Sequence, residues 1–180
     1  MAIGATLHTF AVQLSDVDRG VYQGLELRLA RHPSETAEFL VTRLLAYSLE
    51  YEDGIAFSDG GVSSTDEPAV LVRDLTGQIT AWVEVGAPDA DRVHRGSKLA
   101  GRVAVYTHRD PAKVLAALPG KRIHRSETIP LYSLDRTFVD AAAAALQRRN
   151  TATVSVLERQ LYLELNGTDL TTAIDEHRLL

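Results

Sequence analysis

Two stretches of the chain alternate apolar and polar residues at a period of two. In Gly4–Leu14 the residues Thr6, His8, Phe10, Val12 and Leu14 fall on one side, and in Val21–Ala30 the residues Val21, Leu25, Leu27 and Leu29 do so. The turn cluster Ser15-Asp16-Val17-Asp18-Arg19-Gly20 lies between them, which predicts an N-terminal β-hairpin. The period then lengthens. Leu40, Leu44, Tyr47 and Tyr51 recur at helical spacing over about 34–51. Pro33 suits the first turn of that helix, and Glu35 suits the positive end of its dipole.

Beyond Asp53-Gly54, Ile55–Phe57 reads as a short strand. Gly60-Gly61 with Ser63-Ser64-Thr65 reads as a loop. Asp66–Glu84 then predicts a second hairpin, closed at Asp74-Leu75-Thr76-Gly77-Gln78 with Gly77 at positive φ. Closure near Thr76 sets Glu84 opposite Pro68. Strand parity then turns Asp66 and Glu84 to the same face. Asp89 caps a helix running to Leu99 or Ala100. Arg102–Thr107 is a β-branched strand, Pro111–Leu118 a short helix and Ile129–Leu131 a short strand. Ser133–Gln147 is a helix, and Thr153–Leu165 is a last hairpin, placed beside the first. The final dozen residues are expected to fray. The central order is α-β-β-β-α-β. Packed as a mixed sheet with helices on its faces, it predicts an α/β (α+β) fold with additional hairpins at both ends.

Composition narrows the chemistry. The 180 residues contain no cysteine, which removes disulfides, thiol catalysis and cysteine-ligated metals. No apolar run reaches the roughly 18–20 residues of a membrane span. The start, MAIGATLHTF, lacks the features of a signal peptide, so a cytoplasmic location is expected. The net charge of -5 argues against strong nonspecific nucleic-acid binding but leaves room for a local basic groove. The six histidines show no paired metal-ligand spacing, and there is no glycine-rich phosphate loop. Trp82 stands two residues before Glu84 and shares its face as a packing wall.

The central order, with an Asp before one hairpin strand and a Glu late in the next, resembles the PD-(D/E)XK nuclease-like fold of restriction endonucleases. The blocks ARHPSETAEF and RLLAY (30–47), DEP (66–68), WVEVGAPD (82–89) with Arg92 after it, and AVYTH (104–108) resemble the YaeQ family more closely still. The resemblance implies one domain over 1–180, with a nuclease-like core at about 33–108. It implies that Asp66 and Glu84 bind Mg²⁺ or Mn²⁺ and that Glu35 and Glu38 stand behind them. The nuclease motif places a lysine two residues after its second acid, and Gly86 occupies that position. The missing cation would come from the next helix, as Arg92, Arg95 or Lys98. Arginine stabilises developing phosphate charge but does not act as a base near neutral pH.

Each assignment competes with a plainer one. Strand ends are wet and acids are common there, Glu35 suits a helix start, and Glu38 suits an ion pair. Two function classes follow. One is a magnesium-dependent phosphodiesterase acting on nucleic acid. The other is a nuclease-like scaffold that binds nucleic acid, a nucleotide or a protein partner without turnover.

Overall fold

The computed structural model describes residues 4–59, 66–119 and 122–179. The expected loop at Gly60–Thr65 lies outside them. The chain divides into two compact units: Met1–Val41 with Leu134–Ile174, and Thr42–Ser133 with Asp175–Leu180. The stretch 33–108 therefore crosses a unit boundary.

The first unit carries a five-stranded mixed sheet. Strands β1 (Thr6–Asp16) and β2 (Val21–Arg31) form the expected hairpin, antiparallel from Thr6↔Arg31 to Asp16↔Val21. β8 (Arg149–Leu157) runs parallel to β1, and β9 (Gln160–Leu165) pairs with β8, so the two hairpins share one sheet. The alternation read from the sequence is the buried face: Phe10, Val12, Leu14, Leu27, Leu29, Val154 and Leu163 lose nearly all exposure. Helix α4 (Arg136–Ala145) buries Phe138, Val139 and Ala142 and is shorter than expected. Asp135 caps its first turn, and the backbone is extended again at Leu146.

The turn between β8 and β9 is built from Glu158 and Arg159, both with positive φ (51° and 60°). Asp18 holds it from the first hairpin. Its carboxylate accepts the backbone N–H groups of Glu158 (2.7 Å) and Arg159 (2.9 Å). These bonds hold the Asp18 carboxyl below its ordinary value. The stabilisation is therefore present above the ordinary value and is lost as pH falls through the depressed one. Asp18→Ala is expected to lower the melting temperature at neutral pH and to flatten its fall as the pH drops below 3.8, read by circular dichroism melts. An unchanged acid limb would show that the two bonds contribute nothing.

The tail does not fray. β10 (Thr168–Ala173) pairs with β9, and β11 (Asp175–Arg178) pairs with a strand of the second unit. Their short polar runs carry little apolar signal. They are held by backbone pairing to strands already in place.

Helix α1 (Ala37–Leu49) begins in the first unit and continues in the second. It starts later than the proline suggested. Pro33 lies inside a turn in which the Glu35 N–H donates to the His32 carbonyl. Thr36 caps the helix through its hydroxyl, which accepts the Phe39 N–H.

The second unit is built on a six-stranded sheet ordered β11-β7-β6-β5-β4-β3. Its strands are β3 (Ile55–Phe57), β4 (Val70–Arg73), β5 (Ile79–Val85), β6 (Arg102–Thr107), β7 (Pro130–Ser133) and β11. β3, β4 and β5 are antiparallel neighbours. Helix α2 (Ala90–Leu99) carries the chain from β5 to β6, which is parallel to it. Helix α3 (Pro111–Ala116) leads on towards β7. One face of the sheet presents Trp82, Val103, Val105 and Leu131 to Val93 of α2, to Ala100 just after it and to Val114 and Leu118. The neighbouring residues on β6 turn the other way, where the Tyr106 hydroxyl donates to Glu50 (2.7 Å) and Arg102 pairs with the same carboxylate (2.8 Å). The two sheets and their helices make a mixed α+β fold. Among the described residues no helix is long and apolar enough to cross a membrane.

Candidate phosphate-binding corner at the end of β5

The β4–β5 turn forms where the sequence places it. The Asp74 side chain accepts from the Thr76 N–H and hydroxyl and from the Gln78 N–H, and Gly77 takes φ 86°. The register beyond it differs from the expectation. Arg73 faces Ile79, but Val72 faces Ala81, so Thr80 is an extra residue on β5. This bulge shifts all outer pairs by one. Continued outward from Val70↔Val83, the register sets Ala69, not Pro68, opposite Glu84. β4 begins only at Val70, so Asp66 lies in a bend before the strand. Strand parity therefore does not bring the two acids to one face.

Glu84 is nearly inaccessible at 3% exposure, late in β5. Trp82, on the same face, donates its indole N–H to Glu84 Oε1 (2.8 Å). The Arg92 Nε lies 3.2 Å and 3.3 Å from the two carboxylate oxygens, and its Nη2 donates to the Glu67 carbonyl (2.9 Å). Burial pushes the Glu84 carboxyl above its ordinary value of 4.5. The Arg92 charge, the Trp82 bond and the Arg92 bonds oppose this less strongly. Glu67 turns its own carboxylate to Arg73 (2.9 Å).

Helix α2 delivers the arginines. Asp89 accepts the Arg92 N–H (2.9 Å), the cap expected from the sequence. Val93, Gly96 and Ser97 are buried, which leaves Arg92 on one flank and Arg95 outside it. A Cβ on Gly96 would lie 2.5 Å from the Trp82 ring, so the helix rests directly on the indole. Arg95 meets Asp66 at 3.5 Å, with the Asp66 side chain 92% exposed and that of Arg95 47% exposed. Lys98 is exposed, roughly 120° around the helix from Arg92, and does not share the flank that bears on Glu84. Gly86 has φ 86° and donates its N–H to the Tyr106 carbonyl. A lysine in that left-handed backbone would be strained.

Glu35 and Glu38 belong to the first unit. Glu35 is buried, precedes the helix and accepts the His32 N–H through Oε2 (3.2 Å), so it shares no helix face with Glu38. Glu38, in the first turn of α1, is half-buried.

Hard cations take several oxygen ligands. The Glu84 carboxylate is already taken up by an indole N–H and a guanidinium, and Asp66 projects from a solvated bend. Among the described residues no group of three or more His, Asp or Glu side chains is arranged to hold a metal ion. As arranged, this donor set does not fit Mg²⁺ or Mn²⁺.

Sequence reasoning missed the residues from distant segments. The His124 N–H donates to His94 Nδ1 (3.1 Å), and Arg125 bonds the last carbonyls of α2. No motif links positions about thirty apart, although the cationic cluster Lys121–Arg125 was visible as composition.

The family model for the YaeQ protein matches residues 1–174. The uncharacterized protein YaeQ of Escherichia coli (strain K12) is 38% identical over 112 residues, which is 62% of this chain. That of Salmonella typhi is 37% identical over the same length. The chain matches 61% of the length of these curated relatives. Two crystal structures are similar over nearly the whole chain. The YaeQ protein from Pseudomonas syringae has a TM-score of 0.88 at 28% identity, covering 96% of this chain and 95% of that one. The YaeQ protein from Xanthomonas axonopodis pv. citri has a TM-score of 0.86 at 30% identity, covering 98% and 99%. With the family model matching residues 1–174 and the solved structures covering nearly the whole chain, this chain belongs to the YaeQ family.

Proposed function

We propose that the chain is a nuclease-like scaffold that binds a phosphate-bearing ligand, of the nucleic-acid class, at the corner between β5 and α2. It does so without metal-dependent cleavage. The order α1-β3-β4-β5-α2-β6, with β5 and β6 parallel, supports the kinship with the restriction-endonuclease fold. The observation that carries the binding reading is the arrangement of the two arginines. Arg92 lies along Glu84 and sets its guanidinium charge where a metal ion would otherwise sit. Arg95 lies one turn outward, in an exposed ion pair with Asp66. Exposed pairs of this kind are weak, so a phosphate competes readily for the guanidinium. The buried pair sets the helix, and the outer arginine meets the ligand.

The second reading is a Mg²⁺- or Mn²⁺-dependent phosphodiesterase, in which Asp66 and Glu84 would exchange their arginine partners for the ion. The contact of both acids with successive turns of one helix favours it.

One experiment separates the two. Labelled single- and double-stranded DNA and RNA are incubated with wild type, Arg95→Ala and Glu84→Gln, with and without Mg²⁺ or Mn²⁺, and both retention and cleavage are followed. The expected result is binding that weakens with salt, falls about tenfold in Arg95→Ala, and is accompanied by no metal-dependent cleavage. Metal-dependent cleavage that disappears in Glu84→Gln would replace the scaffold with the phosphodiesterase. Absence of retention on every nucleic acid would reject the nucleic-acid class.

A further inference from the structure

We propose that His94, Lys98, His124 and Arg125 form a second anion site on the flank of α2 away from Arg92, built for the oxyanion of a phosphate group. It does not rest on the reading of the β5–α2 corner and stands on a different set of contacts.

His94 and Lys98 are one turn apart on α2 and share a face. The segment after α3 comes up beside them. Ile123 is buried in the core shared by Trp82 and Val93, which anchors that segment and leaves its neighbours Arg122 and His124 exposed. The His124 backbone N–H donates to His94 Nδ1 (3.1 Å). With Nδ1 accepting, the proton of a neutral His94 is on Nε2, which is then a donor. Arg125, at φ 52°, places its Nη2 on the carbonyls of Ser97 (3.0 Å) and Ala100 (2.8 Å). Both bonds use one nitrogen, so Nε and Nη1 remain outside this pair of bonds as donors. Lys98 has no carboxylate partner among the described residues.

Four donors of positive or neutral character thus lie on α2 and on the segment bonded to it, in a chain whose net charge is -5. The crowding is felt by His124. Its imidazole is held below the ordinary value, first by partial desolvation and then by the charges of Lys98, Arg125 and His94, with Glu127 opposing. A phosphate oxyanion would reverse that repulsion and accept from the donors together. The plainer role, cations complementing the negative end of α2, is filled by Arg125 through its two carbonyl bonds. It gives no reason for His94, Lys98 and His124 to gather beside it.

The test is NMR of the histidine imidazoles in the whole chain during titration with inorganic pyrophosphate, against sodium chloride at matched ionic strength. The expected result is a saturable shift of the His94 and His124 signals and a rise in the pH midpoint of His124. The shift at His94 should require about tenfold more pyrophosphate in Lys98→Ala. His124→Ala, which keeps the backbone bond to His94, should weaken it similarly. Single-stranded oligonucleotides with and without a 5′-phosphate identify the source. Response to the phosphorylated strand alone marks a terminal phosphate, response to both marks the diester backbone, and response to pyrophosphate alone marks a small soluble phosphate. No saturable shift with any probe overturns the site, as does a titration equal in wild type and Lys98→Ala. A pyrophosphate effect retained in a protein that fails to hold nucleic acid would sink the β5–α2 reading and leave this one standing.

Discussion

Gly96→Ala is expected to destabilise the protein by about 3 kcal/mol, at the upper end of what overpacking a core costs. The new methyl would lie 2.5 Å from Cδ1 and Cγ of Trp82. The indole has no room to yield. It is fully buried among Val93, Ala100, Val103 and Val105, and its N–H is fixed to Glu84. The helix must move instead, and it carries Arg92 away from Glu84. Urea unfolding should therefore show a lower midpoint with an unchanged slope. Tryptophan fluorescence in the native baseline should change as well, because Trp82 is the only tryptophan. If stability falls by less than about 1 kcal/mol, α2 is not seated on the indole as described.

The second large effect concerns Glu84 itself. Glu84→Ala leaves the Arg92 guanidinium and the Trp82 N–H without their acceptor, and removing one partner of a buried pair costs about 3 kcal/mol. Glu84→Gln keeps an acceptor for Trp82, costs about 1 kcal/mol at low pH and isolates the charge. The folded protein holds the Glu84 proton to higher pH than the unfolded chain, whose carboxyl titrates near the ordinary 4.5. Between 4.5 and the raised value the folded state carries more protons. Stability from this group is thus complete below 4.5 and declines as pH rises through the raised value. Wild type should lose its advantage over Glu84→Gln as pH rises from 4 to 8, followed by the urea midpoint at each pH. A growing wild-type advantage over that range would mean that the Arg92 charge outweighs burial and that the ionised pair is the favoured form.

These two variants also show which contacts were legible beforehand. Asp89 as the cap of α2, the Asp74–Gln78 turn, the shared face of Trp82 and Glu84 and the exact span of β6 all follow from neighbours in the chain. The family blocks, read as residues, also led to the right kin. The Thr80 bulge did not follow, because a strand with one extra residue keeps its composition and changes only its pairing. The start of α1 at Ala37 did not follow either, since Pro33 is equally at home in a helix start and in the His32–Glu35 turn. Glu35 and Glu38 then lost their common face to a single cap, the Thr36 hydroxyl and the Phe39 N–H it accepts.

By itself the sequence determined the order of elements from β1 to β9, the three hairpins, the buried stripes of β1 and β2 and the chemical types gathered near β5. Each of these depends on periodicity and on caps that reach no more than four residues. Only the tertiary structure decided what those groups do to one another. It set Arg92 against Glu84, left Asp66 in a solvated bend, brought the His124 backbone onto His94 and paired the tail as β10 and β11. Such contacts join segments tens of residues apart. Their geometry depends on one bulge and one glycine under an indole, and local propensity carries no record of either.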